Sequence, residues 1–472
     1  MSKLWILTEE RPKREVIEII FTRFAKEKNI GFFASDIRII PLVENNLFTF
    51  TYQVLGINSS SVSDILIKTV SGQSSFVDYL VYYQDDEPIP SDFPLFAIEE
   101  TKTDDSESRN TGVFQRCTKF VYIDLFYKDV KKIMLYSLQV EQQLKPSDTN
   151  IFGSKLLATY GVEILGKIQN QEQVTPFSSI SELIAFKNSM RLPPRGNIPI
   201  LIYQQHNEIK ISGRLYKSGS LSHDPNIGAL SMISAVLRKL GWQDKITIIQ
   251  HGLSQSNIPI NQTRPNKFIQ IANQLNLSLE DICIPNFSSA RANKEYWYIE
   301  KNGEKLGTIF IHLVVEAFTE GYSVFENHAG CEKSYFKKSD GKVVPLKKYS
   351  DRASYKSGDK TAILHIPDLI LIDVKNLEVI NIEGKTYENR LQGILDLKNY
   401  DFIENSYIKP SYFQHKITRT VVLYGGNLID NSSLDVQIGF LLNTQGNMIL
   451  GISAPNLFCD AITNLLDYWK SC

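Results

Sequence analysis

Apolar residues in the first third of the chain switch repeatedly between helical and alternating spacing. Val16, Ile19, Ile20 and Phe24 recur at intervals of three and four, which predicts an amphipathic helix over residues 15–26. Short aromatic and β-branched runs at residues 47–55, 76–83 and 95–102, bounded by Gly, Asn or Ser, predict strands. Residues 64–70 offer one more. Helical spacing returns through Val113, Cys117, Phe120, Val121 and Leu125, and residues 132–140 revert to strand. The expected order is α-β-β-β-α-β.

Between residues 141 and 197 the pattern weakens, although Ser179 and Glu182 have the spacing of a capping box ahead of a short helix. The stretch RLPPRGN at 191–197 marks a boundary, so the expected division is an N-terminal domain 1–165, a linker with a short helix 166–197, and a C-terminal domain 198–472. Strands are expected at 198–203 and 208–211, then a helix capped by Asp224 and started by Pro225 that stops at Gly241. A helix at 307–319, strands at 362–373 and 377–383, a helix at 387–402 and a strand at 418–424 follow. The β-β-α-β order of the first domain thus recurs without obvious sequence identity. The expected fold class is mixed α/β with two domains, each on an αβββαβ core, and 472 residues exceed what a single core normally serves.

Composition narrows the chemistry. A formal charge of −1 gives no global attraction to polyanions, so any such partner must meet local patches. The five cysteines are scattered without a C-x-x-C pair, which argues against a disulfide framework and for a reducing compartment. The apolar run Leu4 to Leu7 is too short for a signal peptide, and the most apolar stretch, residues 307–318, is interrupted by His312. A cytoplasmic protein without membrane contact is expected. His328 and Cys331 form an H-x-x-C pair with no second pair nearby in sequence, so zinc is not expected there. Gly384-Lys385-Thr386 lacks the upstream glycine of a phosphate-binding loop.

Acid-x-Lys triplets occur seven times, against about four expected from composition alone. Context selects two. Glu100-Thr101-Lys102 ends one predicted strand, and Asp78 lies near the start of the strand before it. If the two strands are antiparallel, Asp78 approaches Glu100, with Lys102 on the same face and Glu99 adjacent. In the second case, Asp368 to Lys385 reads as a hairpin turning at Lys375-Asn376. Constant register then puts Asp368 opposite Glu383, with Lys385 on the Glu383 face. Two carboxylates suit a hard cation such as Mg²⁺, and an ammonium beside them can act on water or offset charge growing on a phosphate.

Both segments resemble the active-site signature of the PD-(D/E)XK nuclease superfamily, and the surrounding residues resemble type II restriction endonucleases. The similar blocks run from Leu95 to Phe120 and from Ile366 to Gly426, and Val77 stands where the pattern has Pro, with Asp64 as a substitute for Asp78. The resemblance implies Mg²⁺-dependent, site-specific hydrolysis of double-stranded DNA by a monomer or homodimer. It further implies catalytic roles for Asp78, Glu100, Lys102, Asp368, Glu383 and Lys385, with the acids on the metal and Glu99 and Gln115 auxiliary. Glu15 and Glu18 are expected to be solvated.

DNA contact is expected where positive charge collects. Lys337, Lys338, Lys342, Lys347, Lys348 and Arg352 stand among Tyr335, Phe336, Tyr349 and Tyr355, while Arg191, Arg195 and Arg214 form a second basic stretch. A repair or transposon-end nuclease and a DNA-binding protein with decayed cores are the alternative functions. Two cutting sites in one chain would remove the need for a palindromic target.

Overall fold

The computed structural model describes residues 2–70, 77–101, 112–136, 148–166, 174–191, 198–215, 225–257, 267–284, 303–328, 334–351, 353–354, 358–426 and 437–472. The fold is mixed α/β, with several mixed sheets. No helix among the described residues is long and apolar enough to cross a membrane. The chain forms two compact units, one of Met1–Ser71, Gln84–Glu87 and Glu300–Cys472, the other of Gly72–Tyr83 and Pro88–Ile299.

This division differs from the expected boundaries at 166 and 198, because strand pairing and buried charge join chain ends that sequence proximity does not. In the first unit, Ser2–Thr8 forms a strand parallel to Val62–Thr69, which the short apolar run Leu4 to Leu7 does not announce in the sequence. The Trp469 indole donates to the Pro41 carbonyl at 2.8 Å. The strands Phe32–Glu44 and Leu47–Ser59 pair antiparallel through Asn45 and Asn46, both in the left-handed region at φ 51° and 63°. That is the backbone a tight hairpin requires. The short helix expected between 166 and 197 is present. Helix Ile180–Ser189 begins at the Ser179 cap, which accepts from the Glu182 N–H at 3.1 Å, and Leu183 is buried. Asn188 exchanges two hydrogen bonds with the Ile202 backbone.

The first unit also holds a six-stranded sheet in the order Tyr322–Glu326, Leu369–Asp373, Glu378–Thr386, Lys416–Tyr424, Ile438–Leu442, Met448–Leu450. Helix Glu304–Phe318 packs on it through Phe310, whose ring stacks on Phe440 at 5.5 Å. Ile370, Ile372, Val379, Val421 and Leu423 share one core cluster with Leu397, Tyr400, Ile403 and Ile408 from the helical segments that follow Thr386.

In the second unit, strand Tyr79–Gln84 as far as Tyr83, Phe96–Thr101, Lys131–Tyr136 and Val162–Gly166 lie side by side, the first pair antiparallel and the next two parallel. The larger sheet of the first unit contains the same sequence of pairings, from Leu369–Asp373 through Ile438–Leu442. A parallel neighbour demands a crossover. Helix Gly112–Ile123 supplies it in one unit and residues 387–411 in the other. Helix Asp148–Tyr160, which the sequence pattern does not announce, buries Phe152, Gly153, Ser154, Leu156 and Leu157.

Helices Gly112–Ile123 and Pro225–Lys239 meet where Gly228 faces the Phe114 carbonyl, and a Cβ at Gly228 would lie 1.6 Å from that oxygen. Gly228→Ala should lower stability by about 1–3 kcal/mol through overpacking. Thermal unfolding of the variant checks this, and an unchanged midpoint would mean that the contact yields freely.

Candidate functional site

The hairpin of the first unit has the expected register, Leu369↔Ile382 through Asp373↔Glu378. Its turn is wider than two residues, since Asp373 accepts from the Asn376 backbone at 3.0 Å and side chain at 2.7 Å. Lys375 pairs with Asp460 at the surface, the ordinary solvated role for the rival triplet. Asp368 stands just ahead of its strand. Its Oδ2 accepts the Gly384 N–H at 2.8 Å.

Glu383 is nearly buried, and its two oxygens have different partners. Oε1 lies 2.5 Å from Lys385 Nζ, whereas Oε2 accepts from the Tyr400 hydroxyl. Lys385 also approaches Asp396 Oδ2 at 3.5 Å. Burial pushes the Glu383 carboxyl above its ordinary value, with Lys385 and Tyr400 opposing that shift. Burial works against the Lys385 ammonium, but Glu383, Asp368 and Asp396 together raise its pKa, so it stays protonated. Helix Arg390–Asp396 presses close over this lysine at Gly393, where a Cβ would sit 2.9 Å from Lys385 Cγ. Asp368, Glu383 and Lys385 thus converge as the hairpin count predicts.

The second unit repeats the arrangement with a different lysine. Asp78 precedes its strand, and its Oδ2 accepts the Glu100 N–H at 2.7 Å. The register Tyr79↔Ile98 puts Asp78 next to Glu99, not Glu100. Lys119 Nζ lies 2.8 Å from Glu99 Oε1 and 3.4 Å from Asp78 Oδ1. Arg116 Nε is 3.6 Å from Glu99 and donates to the Glu100 carbonyl at 3.0 Å. Glu99 is 2 % exposed and Asp78 5 %. Burial, reinforced by Asp78, holds the Glu99 carboxyl well above the usual carboxylate range despite Lys119 and Arg116.

Two expectations change here. Glu100 does not join Asp78 through its side chain, because Glu100 Oε2 accepts from the Tyr79 hydroxyl at 3.0 Å. Alternation along the strand sends Glu99 and Glu100 to opposite faces, so Glu99 is the partner acid. The position equivalent to Lys385 is Thr101, and the cation comes from the crossover helix instead. A lysine set in the apolar run Cys117 to Ile123 was the available signal for Lys119. Lys102, Arg195, Arg352, Cys331 and Asp224 lie outside the described residues, as does the Gln115 side chain. Asp64 accepts from Gln53 at 3.2 Å, and Glu15 and Glu18 are exposed.

The basic stretch after Ser334 is a hairpin. Ser334–Lys337 pairs with Val343–Leu346, and Gly341 closes the turn at φ +82°. Phe336 and Leu346 belong to the core cluster that also contains Tyr400, and the Tyr412 hydroxyl donates to the Lys337 carbonyl at 3.1 Å. Lys337, Lys342 and Lys347 are exposed, and Lys338 and Lys348 half-buried. Arg191 and Arg214, in the other unit, are exposed.

Compared with known proteins, the chain matches no family model, no curated protein and no solved structure.

Lys119→Met would leave Asp78 and Glu99 buried without their central cation. The expected loss is about 3–5 kcal/mol, as when one partner of a buried ion pair is removed. Urea unfolding measures it. A loss below about 1 kcal/mol would mean that Arg116 alone compensates the two acids.

Proposed function

We propose that this chain is a Mg²⁺-dependent endonuclease that hydrolyses phosphodiester bonds of double-stranded DNA at a specific sequence, in the manner of type II restriction enzymes. The observation that carries the reading is the convergence of Asp368, Glu383 and Lys385 on a sheet whose strand order and acid–lysine grouping recur around Asp78, Glu99 and Lys119. The donor chemistry fits: carboxylate oxygens without sulfur or imidazole suit a hard divalent cation. Asp368 and Glu383 would hold it. Bound there, Mg²⁺ would supply Lewis-acid stabilisation of charge on the phosphate being cleaved.

The chain's own groups do the rest. Lys385 stays protonated between its acidic neighbours, so it serves as a donor to the attacking water or a phosphate oxygen, not as a base. Tyr400 holds the second oxygen of Glu383 and sets the rotation of that carboxylate. In the reaction, water adds its oxygen to phosphorus and releases a proton to solvent, while the bond to the leaving sugar oxygen breaks and that oxygen takes up a proton. The lysines of the 334–346 hairpin, packed on the same core as Tyr400, suit contact with the phosphate backbone.

The closure of Asp78 and Glu99 beneath Lys119 and Arg116 favours one cutting site per chain. A homodimer would then cut both strands of a palindromic target. In digests of supercoiled plasmid and phage DNA with Mg²⁺, the wild type should yield discrete fragments. Lys385→Ala should slow cutting at least about 100-fold, and Glu99→Gln should still cut both strands. Open circles accumulating with Glu99→Gln would restore two cutting sites. A smear would point to a repair-type nuclease, and no cutting with either Mg²⁺ or Mn²⁺ sinks the nuclease reading.

A second outcome concerns the hairpin. Substituting Lys342 and Lys347 together by Ala should weaken binding to all duplexes alike and reduce the slope of log affinity against log salt by about 1–2. An unchanged slope in fluorescence-anisotropy titrations would remove the hairpin from the interface.

A further inference from the structure

A second cluster shares no residue with the Asp368 group and stands independently of the nuclease reading. His312 lies on helix Glu304–Phe318, Glu326 ends strand Tyr322–Glu326, and His328 follows two residues later. His312 Nδ1 is 3.0 Å from His328 Nε2 and 3.6 Å from Glu326 Oε2, and His328 Nε2 is 3.9 Å from that same oxygen. Ligand atoms about 2.0–2.1 Å from a tetrahedral zinc ion are about 3.3 Å apart. The three atoms are therefore spaced close to one face of a zinc coordination tetrahedron.

Proton bookkeeping points the same way. His312 Nε2 lies 3.1 Å from Glu316 Oε1, a pure acceptor when ionised, so that nitrogen carries the hydrogen. His328 Nδ1 lies 2.9 Å from Thr308 Oγ1, whose own proton goes to the Lys305 carbonyl at 3.0 Å. His328 Nδ1 is therefore also a donor. Two imidazole lone pairs are left facing each other beside a carboxylate oxygen that Arg11 also binds, an arrangement that a cation among them relieves. A proton joins only one pair of these atoms. A metal ion satisfies all three.

We propose that His312 Nδ1, His328 Nε2 and Glu326 Oε2 form a Zn²⁺ site, with water in the fourth position. Two imidazoles and one carboxylate suit zinc better than magnesium or calcium. Glu316 and Thr308 act as outer partners, fixing each ring through its other nitrogen. Arg11 donates to Glu326 Oε2 at 2.5 Å and to Glu316 Oε2 at 2.9 Å, taking one lone pair of the ligand oxygen and orienting both carboxylates. Its charge, with Lys13 at 3.8 Å from Glu326, opposes the incoming cation and limits affinity. The site would brace the edge strand of the sheet, where Glu326 pairs with Leu369 and the Asn327 N–H bonds the Asp368 carbonyl at 2.7 Å.

The test uses the full chain, stripped with a chelator and titrated with Co²⁺, then with Zn²⁺ in competition. One Co²⁺ per chain should bind with the intense visible bands of four-coordinate cobalt, and Zn²⁺ should erase them. His328→Ala should lose the bands and at least about 100-fold in affinity, and Glu316→Gln, which keeps every ligand, about 10–100-fold. Asp368→Asn should leave the bands intact. Should His328→Ala fail to fold by circular dichroism, Glu316→Gln decides. The proposal is overturned by no saturable binding below about 1 mM, by bands that survive in a folded His328→Ala, by unchanged affinity in Glu316→Gln, or by bands lost in Asp368→Asn.

Discussion

An aspartate placed one residue ahead of its strand accepts a backbone N–H from the neighbouring strand, and both acid groups depend on that bond. Asp78 takes the Glu100 N–H at 2.7 Å and Asp368 the Gly384 N–H at 2.8 Å. A charge-assisted bond of this kind fixes the carboxylate relative to the strand that carries the second acid. It also orders the strand end, where the regular ladder stops. The crossover helix required by the next, parallel strand then delivers Lys119 and Arg116 in one unit, and Tyr400 and Asp396 in the other, to the acids.

The two groups share this frame but differ in what encloses the acids. Around Glu383, one oxygen meets a lysine from the same strand and the other a tyrosine hydroxyl. Around Glu99, a lysine and an arginine both come from the helix, and the position matching Lys385 is Thr101. A lysine on the strand travels with the acid beside it, whereas one on the helix depends on helix packing. The close approach at Gly228 helps to set that packing.

Arg11 does for the first unit what sequence adjacency does not. It binds Glu316 on a helix and Glu326 on a strand, some 300 residues further along the chain. Burial acts against ionisation of Glu326, but Arg11, with His312 and Lys13, holds it well below the ordinary carboxylate range. Removing Arg11 would leave two partly buried carboxylates facing each other, a costly arrangement. The same pair of acids orders His312 and His328.

Local sequence determined the mixed α/β class, the helix from Pro225, the capped helix after Ser179 and the register that joins Glu383 and Lys385. Those features rest on spacing within a helix or hairpin, where neighbours in sequence are neighbours in space. The division into units, the strand Ser2–Thr8, the choice of Glu99 over Glu100 and the arrival of Lys119 were decided by tertiary structure. Glu99 and Glu100 have identical side chains in consecutive positions, so only the register with the Asp78 strand distinguishes their faces. His312 shows in the sequence only as a break in an apolar run, and Arg11 carries no local signal. Their partners are brought to them by the packing of a helix on a sheet edge and by charges that must be neutralised once buried.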